Sequence, residues 1–131
     1  MIVLDTHVWL WWLHDPVRLS PVAARLIEKE QETGALVLSV ISVWEVAVKI
    51  SSGKLVIPLD IYRWYELARS YPATVVEPLS PLDAIASTLL PGDFHKDPAD
   101  RIIISLARRL AVPLVTCDRK ILEYDHVTTV W

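Results

Sequence analysis

Short apolar runs alternate along this chain with longer segments in which apolar residues recur every three to four positions. The runs "MIVL" (1–4), "ALVLS" (35–39), "TVVE" (74–77), "PLVT" (113–116) and "HVTTV" (126–130) are β-branched or leucine-rich and bounded by Gly, Pro or Asp, and they predict five strands. The intervening spacing predicts helices over 7–13, 21–33, 42–51, 60–70, 81–89, 98–110 and a short one near 119–123. Gly34 closes the second, Gly53 follows the third and Pro72 follows the fourth. Regular alternation of strand and helix favours right-handed crossovers, hence an α/β fold with a parallel sheet covered on both faces. The densest irregular stretch, "LLPGDFHKDPAD" (89–100), reads as a loop leading into the helix at 98.

Composition narrows the class. A length of 131 residues fits one domain, 1–131, and a hydrophobic content of 53% excludes intrinsic disorder. The longest apolar segment, "VLSVISVWEVAVKI" (37–50), is interrupted by Glu45 and Lys49, so no membrane span is expected. Asp5 interrupts what would be the apolar part of a signal peptide. Cys117 is the only cysteine, which rules out an internal disulfide, points to the cytoplasm, and suggests a small core residue. A net charge of -3 argues against tight non-specific attachment to nucleic acid. Between positions 96 and 120, however, six basic residues (Lys96, Arg101, Arg108, Arg109, Arg119, Lys120) outnumber three acids.

Four carboxylates carry the candidate chemistry. Asp5 follows the first strand, Glu45 lies in the helix after the second, Asp100 opens the helix at 98, and Asp118 follows "PLVTC". Each has a local explanation. Asp5 and Asp118 stand where helix N-caps stand, "SVWE" (42–45) matches a capping box, and "DPAD" (97–100) places Asp97 at a cap and Asp100 in a first turn. Capping explains the acids singly and leaves their joint placement unexplained, because parallel neighbouring strands would bring all four to one sheet edge. Clustered carboxylates need protons or a cation, and with no zinc-type Cys/His set, Mg²⁺ or Mn²⁺ is the expected partner.

On these residues the chain resembles the PIN domain family, specifically VapC-type toxins of toxin–antitoxin pairs. "MIVLDTHVWLWWL", "SVISVWEVAVKISSGKL" and "HKDPADRIIISLARRLAVPLVTCDRKI" carry the resemblance, and the segment "LARSYPATVVEPLSPLDAIASTL" is generic. The resemblance implies a three-layer α/β/α sandwich on a five-stranded parallel sheet. It implies a metal-dependent ribonuclease whose acidic cluster is Asp5, Glu45, Asp100 and Asp118, with Thr116 beside it. It further implies an RNA substrate, a cognate antitoxin seated in an apolar groove, and a homodimer. Many members lack His95 and Asp97, and no catalytic role is assigned to those two.

Residue types supply the rest. Thr6 and Thr116 could hydrogen-bond a ligating carboxylate or serve as ordinary strand-end residues. Arg101, Arg119 and Lys120 are candidates for the RNA rim, with a salt bridge as the alternative for Arg101. His7, His14, His95 and His126 lack a nucleophilic partner, although His7 adjoins the proposed cluster. Trp9, Trp12 and Leu13 share one helical face and Trp44, Val48 and Lys49 another; six tryptophans in so small a chain predict an exposed apolar surface. Phosphate-transferring aspartate enzymes need a second Asp where His7 stands, and a receiver domain needs a phosphoacceptor where only Glu77 is offered. A non-toxin PIN nuclease of RNA processing and a metal-free PIN-fold binding module are the remaining alternatives.

Overall fold

Alternating burial along the first strand sets the architecture. In β1 (Ile2–Leu4), Ile2 and Leu4 join one apolar cluster and Val3 the other; in β2 (Leu36–Ser39), Leu36 and Leu38 divide from Val37 in the same way. Both strands are fully buried, as a parallel strand covered on two faces must be. The computed structural model describes residues 1–95 and 97–131; Lys96, counted above in the basic stretch, lies outside the described residues.

Five parallel strands form the sheet, with β3 at Thr74–Glu77, β4 at Leu114–Val115 and β5 at Thr129–Val130, in the spatial order β3-β2-β1-β4-β5. The helices are α1 (Thr6–His14), α2 (Pro21–Thr33), α3 (Val40–Ser51), α4 (Ile61–Arg69), α5 (Pro81–Thr88), α6 (Pro98–Leu110) and α7 (Arg119–Leu122), with a 3₁₀ turn at Pro16–Arg18. Residues of α1, α2, α3 and α4, including Val8, Trp9, Ile27, Val46 and Trp64, cover the Ile2/Leu4 face; Ile103, Ile104 and Leu106 of α6 and Ile121 of α7 cover the Val3 face. The result is an α/β/α sandwich on a five-stranded parallel sheet.

Several local details depart from the sequence reading. The last strand shortens from 126–130 to Thr129–Val130. Helix α3 begins at Val40 because β2 runs straight into it and Ser39 is both strand end and cap, its hydroxyl accepting from Ile41 N–H at 3.2 Å. Ser42 is therefore the third residue of the helix and fully buried, and "SVWE" is not a capping box. Gly53 takes a left-handed φ of 75° just after α3, a conformation that side-chain-bearing residues resist. Trp9 is fully buried edge-on against Trp64, 5.0 Å between ring centroids, so it belongs to the core and not to a partner-facing surface. Trp11, Trp12 and Trp131 are half-buried, and Trp44 alone of the six is largely exposed. Cys117 is half-buried, with its thiol pKa pushed up mainly by burial. Glu77, at the end of β3, lies 3.6 Å from Arg109, which also donates to Asp83 at 2.8 Å, so the only acid available to a receiver-type reading is an ion-pair partner. Among the described residues, no helix is long and apolar enough to cross a membrane.

Candidate active site

Strand order reverses at β1: β2 and β3 lie to one side of it, β4 and β5 to the other. In an open parallel sheet, the crevice outside the carboxyl ends of the strands at such a reversal is where ligands bind. Asp5 leaves β1 there, α3 with Glu45 leaves β2, and Thr116 with Asp118 leaves β4. Asp100, in the first turn of α6, is the fourth acid.

Two of the acids are helix caps, and Glu45 is held by a hydroxyl. Asp5 is the N-cap of α1, its Oδ1 accepting from Thr6 N–H at 2.8 Å, while Oδ2 accepts from the Thr116 hydroxyl at 2.7 Å. Thr116 in turn accepts from Asp118 N–H at 3.0 Å, and Asp118 caps α7 through Lys120 N–H at 2.9 Å. The Thr6 hydroxyl donates to Glu45 Oε1 at 2.6 Å and lies 2.8 Å from Ser42 Oγ, whose own hydroxyl proton can turn back to Thr6. Asp97 caps α6, accepting from Asp100 N–H at 3.2 Å. For Asp5 and Asp118, capping and placement at the sheet edge are one arrangement.

The acids act on one another electrostatically. Asp5 is 6% exposed, and burial raises its pKa against the opposing bonds from Thr116 and Thr6. Glu45 is raised by burial first and then by Asp5 and Asp97, against the Thr6 bond. Asp100 is pushed up to about 7, by burial first and then by the charges of Asp5, Asp97, Asp118 and Glu45. Asp100 therefore feels the other three proposed acids and the Asp97 cap together. His7 is exposed, and its charge lowers both Asp5 and Glu45.

Two residues without an assigned role enter the site. His95 Nε2 stands 3.1 Å from Asp100 Oδ2, off line for a hydrogen bond, while its Nδ1 accepts from Asp97 N–H at 3.3 Å. Both residues lie in or beside the loop "DFHKD", where no periodicity locates a side chain; the only signal was their nearness to Asp100 in sequence. Of the basic residues, Arg119 and Lys120 are exposed in the first turn of α7, next to Asp118. Arg101, expected at the RNA rim or in a salt bridge, makes no salt bridge among the described residues: its three guanidinium nitrogens donate to the carbonyls of His95, Ser87 and Phe94 at 2.9, 3.0 and 2.9 Å. Arg108 is likewise spent on the His126 carbonyl and Arg109 on Glu77 and Asp83.

Chemically, the donor set is all oxygen and carries enough negative charge to suit a hard divalent cation. Among the described residues, no three Asp, Glu, His or Cys side chains already stand as a set that could hold a metal ion. Each acid instead leans on a neighbouring donor or histidine, so ligation requires the carboxylates to turn from these partners toward a shared point.

This arrangement has relatives. The chain matches the PIN domain model over residues 2–127. It is 33% identical over 132 aligned residues to "Ribonuclease VapC22" of Mycobacterium tuberculosis, covering 99% of this chain and 98% of that protein. Similar folds occur in VapBC2 from Rickettsia felis, solved bound to a DNA fragment from their promoter (TM-score 0.72, 15% identity, 99% of this chain and 98% of that one). They also occur in a toxin-antitoxin complex from Klebsiella pneumoniae (TM-score 0.67, 17% identity, 100% and 97%) and in FitAcB from Neisseria gonorrhoeae (TM-score 0.67, 20% identity, 100% and 97%). With its acids gathered at the β1 reversal and its length matched almost throughout, the chain belongs to the PIN domain family.

Proposed function

We propose that this chain is a divalent-metal-dependent endoribonuclease acting as the toxin of a toxin–antitoxin pair in the cytoplasm, a single PIN domain over 1–131. The observation that carries the reading is the set of acids leaving the carboxyl ends of β1, β2 and β4, with Asp5 and Asp118 tied through Thr116 and Glu45 held by Thr6, and Asp100 in the first turn of α6 within their electrostatic reach. A relative that aligns end to end is named a ribonuclease.

Asp5, Glu45, Asp100 and Asp118 would hold Mg²⁺ or Mn²⁺, the cation cancelling their mutual repulsion. Bound there, such an ion neutralises phosphate charge and lowers the pKa of a coordinated water. The chain's own residues do the remaining work. Thr116 and Thr6 orient the Asp5 and Glu45 carboxylates. Arg119 and Lys120 offer positive charge to the RNA backbone beside Asp118.

The partner follows from the surface and from the company of the fold. Solved relatives include toxin–antitoxin complexes. Here Tyr62, Leu67 and Tyr71 remain exposed on and after α4, and Tyr71 packs edge-on against Trp12 of α1 at 5.2 Å. An antitoxin segment covering this apolar surface and placing a cation among the acids would silence the site; a second copy of the chain would complete a homodimer.

The test is purified protein with defined RNAs, with Mg²⁺ or Mn²⁺ and with EDTA, beside Asp5→Asn. Metal-dependent cleavage lost in the variant is expected. Cleavage that persists in EDTA or in Asp5→Asn overturns the mechanism.

A further inference from the structure

Trp44 and Glu45 are consecutive on α3, about 100° apart around the helix, and they face different surroundings. Glu45 turns to Thr6 in the acidic crevice, while Trp44 is 59% exposed, the most exposed tryptophan of the chain. Beside it opens a cavity of about 430 Å³ between the N-terminal turns of α3 and α6, lined by Ile41, Trp44, Glu45, Asp97, Pro98 and Ala99. Its walls are an indole and three apolar groups, Ile41, Pro98 and Ala99, and its polar groups are the carboxylates of Glu45 and Asp97. Glu45 lines the cavity and belongs to the acidic cluster as well, so cavity and site are continuous.

This chemistry selects an occupant. Among the described residues no Lys, Arg or His lines the cavity, and the two carboxylates at its rim disfavour phosphate and acidic peptides there. The exposed basic residues next to Asp118, Arg119 and Lys120, belong to the β4 side of β1, whereas α3 leaves β2 on the other side. A chain of alternating phosphates and bases lying across the crevice could meet cations on one side and the aromatic cavity on the other. A flat, uncharged ring whose edge carries N–H donors suits an indole face rimmed by carboxylate acceptors.

Resting on the ribonuclease reading, we propose that Trp44 is the platform of a base subsite: an unpaired nucleobase next to the scissile phosphate stacks on its indole and donates its Watson–Crick edge to Asp97. Guanine presents two adjacent donors, N1–H and the 2-amino group, which one carboxylate can accept together. Uracil presents N3–H between two carbonyls, which the carboxylate repels. The site therefore favours guanine over uracil at the stacked position, and Trp44 is a specificity-determining residue.

The experiment uses the full chain and single-stranded RNA oligonucleotides differing only at the nucleotides flanking the cleavage site. Wild type, Trp44→Ala, Trp44→Phe and Asp97→Asn are compared by steady-state cleavage and, independently of turnover, by RNA-binding anisotropy in EDTA. Trp44→Ala should raise KM and weaken binding by about 10-fold or more, leave kcat at saturation unchanged, and level the preference for guanine over uracil. Trp44→Phe should retain most of the affinity, and Asp97→Asn should lose the base preference. Wild-type affinity and preference in Trp44→Ala overturn the subsite, as does an unchanged RNA response accompanied by loss of binding to a protein partner. If the wild-type chain cleaves no RNA, the ribonuclease reading fails on its own, and the anisotropy series still decides whether Trp44 holds a base.

Discussion

The Thr116 hydroxyl donates to Asp5 Oδ2 at 2.7 Å, joining residues 111 positions apart in the chain. The same oxygen accepts from Asp118 N–H, so one side chain fixes both the first and the last acid of the cluster. Thr116→Val keeps the shape and removes the hydroxyl, leaving buried Asp5 short of a donor. The expected loss is about 1–3 kcal/mol of stability in urea unfolding and about 10- to 100-fold in RNA cleavage. Thr116→Ser should restore both, and a Thr116→Val protein with wild-type cleavage would remove Thr116 from the site.

The parts of the fold that were readable from sequence are those with a strong period. The β1 and β2 runs and the α6 pattern act through burial on both faces of a sheet, and burial is what periodicity encodes. The position of Asp5, Glu45 and Asp118 after β1, β2 and β4 could be inferred because parallel strands carry their ends to one edge, whereas Asp100 opens α6, which no strand directly precedes. What escaped depended on partners far away in sequence. The hydrogen bonds of Arg101 escaped because spacing does not reveal the three backbone carbonyls, one at the end of α5 and two in the loop after it, that take its donors. Ser42 looked like a cap because the motif is local, whereas the absence of a loop between β2 and α3 moved the cap to Ser39. Trp9 shared a helical face with Trp12, and only the position of Trp64 on α4 decided which of them went into the core.

Burial and its neighbours raise the Asp100 carboxyl from an ordinary value of 3.8 to about 7. The folded chain holds that proton up to about neutrality, while the unfolded chain releases it near pH 4. The stability this group contributes is therefore fully present below about pH 4 and is lost as pH rises through about 7. Asp5 and Glu45 are raised as well and act in the same sense. In EDTA, the melting temperature should fall as pH rises across this window. Asp100→Asn should flatten part of that fall and make the metal-free protein more stable than wild type above neutrality, while abolishing RNA cleavage. A variant that is less stable than wild type there would mean that Asp100 is not strained by its neighbours.

Arg101 and the α7 cations should separate in salt. Each phosphate neutralised on a single strand contributes about 0.7 to the slope of log affinity against log salt. Arg119→Ala and Lys120→Ala should each weaken RNA binding and lower that slope by about this amount. Arg101→Met should leave the slope unchanged, because its guanidinium faces the carbonyls of Ser87, Phe94 and His95, and should instead cost about 2 kcal/mol or more in unfolding. A reduced slope in Arg101→Met would return Arg101 to the RNA surface.

The proton order in the Ser42, Thr6 and Glu45 chain gives a last prediction. Thr6 has one hydroxyl proton and two oxygen neighbours, Glu45 at 2.6 Å and Ser42 at 2.8 Å. When Glu45 is ionised it can only accept, so Thr6 donates to it and Ser42 donates to Thr6. Ser42→Ala then removes the outer link and leaves Glu45 satisfied, while Thr6→Val leaves the carboxylate without its donor. Thr6→Val should cost more in both stability and cleavage, and the double variant should cost less than the two losses added, with a coupling of about 0.5–3 kcal/mol in a double-mutant cycle. Additive losses would show that the two hydroxyls act separately, with Ser42 serving only to fill the space beneath α1.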